Sequence, residues 1–393
     1  MFVIIFLILL LLFFITPDIY ISAVYLRQAP MVWRILFFLP TVVSFLSIVG
    51  VYYRGSSSVY TLIFLFILLC VAMPKLVFMI FSLLSRLFGH WSPTAATITS
   101  IVGVIAVSAV FFVAFYGLTF GWKTLEVKHV DLYFDHLPAA NDGYRIAHLS
   151  DLHVGSYRKK TGFVEKVVQR VNEERPDLVV FTGDLVNTDP HELTPYIPVL
   201  SKLTAPDGVF SVLGNHDYCL YGKPKRWADV REGGLIVADI ERKMGWRMLM
   251  NDARILTRDT DRIAIVGVEN TGKPPFPQIG DLQGAVKGIT DYDTIKSSDD
   301  LFTILLTHDP SHWRMEVLPK THIPLTLSGH THSAQLRIGN WSPSKWMYEE
   351  WDGLYESGDQ KLYISQGIGG TFPFRFGARP RIVIITLRRN YEL

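Results

Sequence analysis

Aspartate, asparagine and histidine side chains with the chemistry of metal ligands occur in five short blocks of this sequence. The seven candidate metal ligands are Asp151, His153, Asp184, Asn215, His308, His330 and His332. They offer carboxylate, imidazole and amide oxygen donors and no thiolate, a mixture that suits manganese, iron, zinc or magnesium. In Asp151-x-His153 and His330-x-His332 the paired side chains face the same way, because alternate residues of an extended chain share a side. The blocks therefore predict a site for two divalent metal ions.

Each block follows a short apolar run with the pattern of a buried strand. The runs cover residues 144–149, 178–181, 208–213, 301–306 and 325–327. A helical pattern at 162–174 separates the first two runs, which predicts a strand, helix and strand with a parallel sheet. Functional sites of α/β sheets collect at the carboxyl ends of such strands. A single Asp or His there is usually a turn residue, but five such ends in one domain favour a common site.

The first third of the chain has a different composition. Residues 1–122 contain only six charged side chains, and four apolar stretches fill this region. The stretches cover residues 2–24, 32–53, 58–83 and 93–120. A helix needs about 20 apolar residues to cross a bilayer, so we predict four transmembrane helices in residues 1–122 and a soluble domain at 123–393.

Two features refine the predicted membrane region. The first stretch lacks the positive start and the cleavage site of a signal peptide, so we interpret it as a retained helix. Pro74 and Lys75 are predicted to mark the end of the third span, with the Lys75 side chain reaching the interface. Positive charges are divided between alternate connections, which leaves open the side of the membrane that carries the soluble domain.

The overall composition excludes several classes of protein. The chain has 393 residues, a net charge of +2 and two cysteines. Two cysteines exclude a disulfide scaffold and a cysteine-ligated zinc module. A nearly neutral chain without a concentrated basic face also argues against a nucleic-acid partner.

The five blocks, in this order, resemble the signature of the calcineurin-like metallophosphoesterases. The resemblance covers residues 124–388. It is strongest to a membrane-associated bacterial branch, whose sequence is similar at residues 143–153 around the first block. That branch includes enzymes that cleave the pyrophosphate of UDP-2,3-diacylglucosamine and proteins with general phosphodiesterase activity. The resemblance implies a four-layer α-β-β-α sandwich of two mixed sheets, following the four transmembrane helices.

The resemblance also implies a function for each residue of the blocks. Asp151, His153 and His332 would hold the first metal ion, and Asn215, His308 and His330 the second, with Asp184 bridging both. Two such ions lower the pKa of a bridging water, which then attacks phosphorus in line. His216 would protonate the leaving oxygen or stabilise the charge of the transition state, and Asp217 would orient His216.

Segments between the blocks bear on the substrate. Residues 218–227 are rich in aromatic and basic side chains, residues 271–298 are rich in Gly and Pro, and residues 341–355 are rich in Trp and Tyr. An ordinary polar loop is an equal alternative for the first segment, and core packing is one for the last. Because a domain tethered by four helices is confined near lipids, we expect a membrane-associated or lipid-linked phosphoester or pyrophosphate substrate, with membrane lipids as partners. The alternatives are hydrolysis of a soluble nucleotide and, as a minor alternative, a non-catalytic scaffold. The sequence predicts a multi-pass integral protein of a bacterial plasma membrane.

Overall fold

The structure is a computed structural model that describes residues 2–54, 59–221, 227–287 and 301–390. Parts of two segments considered as substrate clues, residues 222–226 and 288–298, lie outside the described residues. The chain forms two compact units, Met1–Gly121 and Trp122–Leu393.

The first unit consists of apolar helices. They are α1 (Phe2–Val24), α2 (Met31–Phe37), α3 (Leu39–Arg54), α4 (Val59–Ile67), α5 (Met73–Gly89) and α6 (Pro93–Thr119). A single π-helical turn, Leu68–Ala72, joins α4 to α5.

Three helical stretches of this unit are long and apolar enough to cross a membrane, as far as the described residues extend. They are Met31–Tyr53, Val59–Gly89 and Pro93–Lys123. The predicted count of four spans is not matched. Helix α1 occupies the range of the first predicted span, and the apolar helix among its fully described residues is Leu12–Val24.

The chain remains helical from Val59 to Gly89, so the break predicted at Pro74 and Lys75 is not found. Pro74 lies in the first turn of α5, where its missing N–H is tolerated, and the helix continues to Gly89. The Lys75 ammonium lies 2.6 Å from the buried Asp18 carboxylate. The hydroxyl of Thr41 donates to the other Asp18 oxygen at 2.6 Å. One ion pair thus connects α1 and α5, and the hydrogen bond from Thr41 connects α3 to the same carboxylate.

The second unit contains twelve strands in its described part. They are β1 (Glu126–Phe134), β2 (Arg145–Leu149), β3 (Leu178–Phe181), β4 (Val209–Ser211), β5 (Arg247–Met248), β6 (Asp252–Arg258), β7 (Asp261–Gly267), β8 (Phe302–Leu306), β9 (Leu325–Ser328), β10 (Gly353–Ser357), β11 (Gln360–Ile364) and β12 (Arg381–Arg389). The five strands predicted before the ligand blocks are β2, β3, β4, β8 and β9.

The strands form two mixed six-stranded sheets, with orders β1-β12-β2-β3-β4-β5 and β10-β11-β9-β8-β7-β6. Strands β2, β3, β4 and β5 are parallel, and so are β7, β8, β9 and β11. Because parallel strands end at the same edge, each sheet brings its ligand blocks to one edge.

The helices of this unit are α7 (Gly162–Glu173), α8 (Ile197–Leu200), α9 (Trp227–Lys243), α10 (Leu282–Val286) and α11 (Leu318–Lys320). Helix α7 buries Val164, Val167, Val168 and Val171, which are spaced to share one face of a helix.

Three apolar cores define the layers. Ile146 and Phe210 of the first sheet pack with Ile265 and Leu327 of the second, so one core lies between the sheets. The valines of α7 pack on the outer face of the first sheet, and Leu282 of α10 belongs to a core on the outer face of the second. The four-layer α-β-β-α sandwich is therefore confirmed.

Candidate metal centre

The candidate ligands lie in tight turns directly after the strands. Five of the seven have a left-handed backbone, with φ from 47° to 72°. These five are Asp151, His153, Asp184, His330 and His332. Residues other than glycine adopt this conformation at a cost, and such strain is concentrated at functional sites. The turns thus direct these five side chains towards a common site.

The turns also approach one another closely. The N–H of Asp151 donates to the carbonyl of Gly183 at 2.9 Å. A side chain on Gly329 would overlap the Asp151 carboxylate. Only glycine therefore fits where the turns after β2 and β9 meet.

Four of the ligands form a first cluster. The ligand atoms of Asp151, His153, Asp184 and His332 all lie within 4.8 Å of one another. The Nε2 atoms of His153 and His332 are 3.2 Å apart. An Asp184 oxygen is 3.5 Å from Nε2 of His153, and an Asp151 oxygen is 3.4 Å from Nε2 of His332.

A second cluster shares Asp184 with the first. It contains Asp184, His308 and His330. Nε2 of His308 lies 3.1 Å from an Asp184 oxygen, from the Asn215 amide oxygen and from Nδ1 of His330. All seven candidate ligands thus come together, and Asp184 belongs to both clusters.

The donor atoms fit divalent cations. Nε2 of His308 can carry one proton at most, yet three ligand atoms surround it at hydrogen-bond distance. Burial opposes a charge on His308, but the Asp184 and Asp151 carboxylates outweigh it and raise its pKa to about 10. Burial, reinforced by His216, instead lowers the pKa of His153 to about 3. Such a crowded, buried set of oxygen and nitrogen atoms is the arrangement that a pair of divalent ions satisfies.

The contacts of the Asp217 carboxylate differ from those expected of a residue that orients His216. Both Asp217 oxygens accept backbone N–H groups, from Asp184 and Gly214 at 2.8 Å on one oxygen and from Leu185 and Val186 at 2.8 and 3.1 Å on the other. The turn folds the carboxylate back under the loop that carries Asp184. Asp217 therefore supports the metal-binding loop.

His216 is oriented by a backbone group instead. Its Nδ1 lies 2.7 Å from the carbonyl oxygen of Asn187. Its backbone N–H donates to a carboxylate oxygen of Asp184 at 2.8 Å. Its ring centroid is 4.7 Å from that of His153. His216 thus stands directly beside the first cluster.

An open cavity of about 460 Å³ lies in front of the clusters. Asp184, Asn215 and His216 form one part of its lining, and Phe276, Trp346 and Met347 form another. Trp346 and Met347 are 76% and 68% exposed. A ligand bound at the clusters would therefore have apolar surface within reach.

Comparison with known proteins places this arrangement in a family. Residues 144–334 match the family model described as calcineurin-like phosphoesterase. The uncharacterized metallophosphoesterase YkuE of Bacillus subtilis is 32% identical over 265 residues, which are 64% of this chain and 82% of that protein. The chain belongs to the calcineurin-like phosphoesterase family. It is a metal-dependent phosphoester hydrolase with a dimetal centre.

Other relatives of this phosphoesterase are found in bacteria and vertebrates. The uncharacterized metallophosphoesterase Cj0846 of Campylobacter jejuni is 32% identical over 68% of this chain and 64% of its own length. A transmembrane protein with metallophosphoesterase domain from Danio rerio is 29% identical over 70% of this chain and 60% of its own length. Together with the long apolar helices, these relatives identify the phosphoesterase as a membrane protein. None of these names states a substrate.

Two residues near the metal centre of the phosphoesterase were missed in the sequence. Asn187 contributes only a backbone carbonyl to His216, and no residue type signals such a contact. Arg375 is fully buried, donates to the carbonyls of Gly369, Gln366 and Ala378, and lies 3.5 Å from Nδ1 of His332. An arginine between Phe374 and Phe376 is the signal that could have indicated it.

All three segments considered as substrate clues contribute residues to the cavity. Tyr221 comes from residues 218–227, Phe276 from the Gly- and Pro-rich segment, and Trp346 and Tyr348 from the aromatic segment. Trp351 is buried instead, with Arg337 stacked on its ring.

Proposed function

We propose that this phosphoesterase hydrolyses a phosphoester or pyrophosphate bond of a lipid-linked substrate. The carrying observation is the composition of the cavity, which joins the metal ligands to Phe276, Trp346 and Met347. Burial of apolar surface stabilises a complex by roughly 25 cal/mol per Å². A substrate with a phosphate and an adjoining apolar group matches both parts of the lining.

The proposed ligand sets follow the two clusters. Asp151, His153 and His332 would hold one divalent ion, Asn215, His308 and His330 would hold the other, and Asp184 would contribute to both sites. The ions, when bound, polarise the phosphoryl oxygens and lower the pKa of a nearby water. These assignments are supported by the 4.8 Å limit within which the Asp and His ligand atoms of each cluster lie.

His216 supplies the acid in this proposal. The Asn187 carbonyl accepts a hydrogen bond from Nδ1, so Nδ1 carries a proton and Nε2 is the atom that takes up or releases one. Protonated at Nε2, His216 donates to the leaving oxygen. The Asp184 carboxylate accepts a hydrogen bond from the backbone N–H of His216 at 2.8 Å, which links the acid to the metal ligands.

The expected location of the enzyme in a membrane supports the same proposal. We propose that the helical unit crosses a bacterial plasma membrane several times, as its three long apolar stretches support. An enzyme anchored in this way meets membrane lipids at high local concentration. An impermeant thiol reagent, applied to intact cells that carry an engineered surface cysteine, identifies the side on which the catalytic unit lies.

A substrate panel tests the proposed function. The full chain, purified in detergent and supplied with manganese, is incubated with nucleotide-lipid pyrophosphates, phospholipids, cyclic nucleotides and bis-p-nitrophenyl phosphate, and products are identified by phosphorus NMR. We expect a lipid-linked compound to be the best substrate, and the Asp184→Asn variant to be inactive but folded. A preference for soluble nucleotides over every lipid would exclude the lipid-linked substrate and favour the nucleotide alternative.

A further inference from the structure

Tyr221 contacts two residues of the metal centre. Nδ2 of Asn215 donates to its phenol oxygen at 2.8 Å, and its ring centroid lies 4.3 Å from that of His216. The residue also lines the cavity, and its side chain is 46% exposed. Tyr221 thus has one face on the centre and one towards incoming substrate.

The orientation of Asn215 determines what the phenol can do. The Asn215 amide oxygen is 3.1 Å from Nε2 of His308 and therefore faces the second cluster. Its NH₂ group then points to Tyr221, whose oxygen accepts. A phenol has one proton of its own to donate. Because the contact with Asn215 uses a lone pair, that proton is not spent on Asn215.

Tyr348 contacts a different residue of the centre. Its hydroxyl lies 2.7 Å from Nε2 of His330, whose Nδ1 faces the second cluster. Nε2 of His330 then carries the proton and donates to the Tyr348 oxygen, so Tyr348 supports a candidate metal ligand, whereas Tyr221 packs against His216, although both tyrosines line the same cavity. In the described part of the chain, no acceptor is recorded for the Tyr221 proton.

We propose that Tyr221 is a catalytic residue that donates its phenol proton, as a hydrogen bond, to a non-bridging phosphoryl oxygen of the substrate. This inference rests on the proposed function, since it needs a phosphate at the clusters. Negative charge on that oxygen is stabilised by a neutral donor held in place before the reaction. The stack on His216 and the bond from Asn215 hold the phenol in place.

The test compares Tyr221→Phe with wild-type full-length enzyme. Phenylalanine keeps the ring against His216 and removes only the hydroxyl. With aryl phosphodiesters and manganese, we expect kcat to fall about a hundredfold, the typical effect of losing one such donor. The loss should be the same for good and poor leaving groups, because the bond is to a non-bridging oxygen. The manganese concentration for half-maximal activity should not change.

Tyr348→Phe is the matched control, and we expect it to raise the manganese concentration for half-maximal activity. A kcat of Tyr221→Phe within threefold of wild type would overturn the inference. So would full recovery of kcat at high manganese, because Tyr221 would then act only through Asn215. Failure of the proposed function looks different, since the wild-type enzyme itself would then prefer soluble nucleotides over every lipid, whatever the effect of Tyr221→Phe.

Discussion

Nδ1 of His216 lies 2.7 Å from the carbonyl oxygen of Asn187. A carbonyl can only accept, so this contact fixes the proton on Nδ1 and leaves Nε2 to exchange protons. The orientation therefore depends on the backbone of the loop after Asp184, and the Asn187 side chain is not needed for it. An acid held in this way keeps its direction as long as the loop is intact.

Substitution of His216 tests this acid. We expect His216→Gln to lower kcat by about 10² to 10⁴, the range for one general acid. The loss should be smallest for p-nitrophenolate, which leaves without protonation, and should grow as the leaving group becomes more basic. His191→Gln is the control, because His191 is exposed and contacts Asp189. A loss that does not depend on the leaving group would contradict the acid role.

Substitution of Asp217 should reduce stability together with activity. The Asp217 carboxylate accepts four backbone N–H groups. In Asp217→Asn one acceptor oxygen becomes an NH₂ group that faces donors, which costs about 3 kcal/mol. We expect a lower unfolding temperature and weaker manganese binding. Unchanged thermal unfolding, measured by tryptophan fluorescence, would show that the four bonds contribute little.

Buried His148 should make the catalytic unit sensitive to acid. Burial lowers the pKa of His148 to about 3, whereas an unfolded histidine titrates near 6.5. Between these values the unfolded chain binds the extra proton, so stability falls as pH decreases from 6.5 towards 3. At pH 5 this amounts to about 2 kcal/mol.

Comparison with His148→Gln isolates this effect. Glutamine can keep a contact with Thr182, which lies 2.9 Å from Nε2 of His148, but does not titrate. Between pH 7.5 and pH 5 the unfolding midpoint of the wild type should fall further than that of the variant. Parallel pH profiles would mean that other groups account for the acid sensitivity.

The ion pair in the helical unit should show strong coupling between its partners. Asp18 is fully buried and contacts Lys75 and Thr41. Removal of one partner leaves an unpaired buried charge, which costs about 3 to 5 kcal/mol, whereas removal of both costs much less. We therefore expect Asp18→Asn and Lys75→Gln to unfold more easily than the double variant in detergent. Additive losses in this double-mutant cycle would show that the two side chains are not coupled.

The sequence predicted those parts of the centre that depend on residue type and strand order. All seven candidate ligands could be found, because each follows a buried strand and parallel strands end at a common edge. The partners of Asp217 and His216 could not be found in this way. They are backbone groups of the turns after β3 and β4, and every residue carries such groups.

Lys75 illustrates a second limit of the sequence. A lysine after a proline in an apolar stretch indicates a helix end when it is considered alone. Its partner Asp18 is 57 residues away, and only the packing of α1 against α5 shows that the charge is neutralised inside the unit. Buried charges in membrane helices depend on such distant partners.

The separation of Asp18 and Lys75 along the chain also has a consequence for biosynthesis. In the proposed multi-pass arrangement, the ribosome delivers Asp18 to the membrane 57 residues before Lys75. Asp18 lies in the last third of α1, and its cation belongs to α5. The ion pair can therefore form only after α5 has been synthesised, so the packing of α1 against α5 is a late step in the assembly of the helical unit.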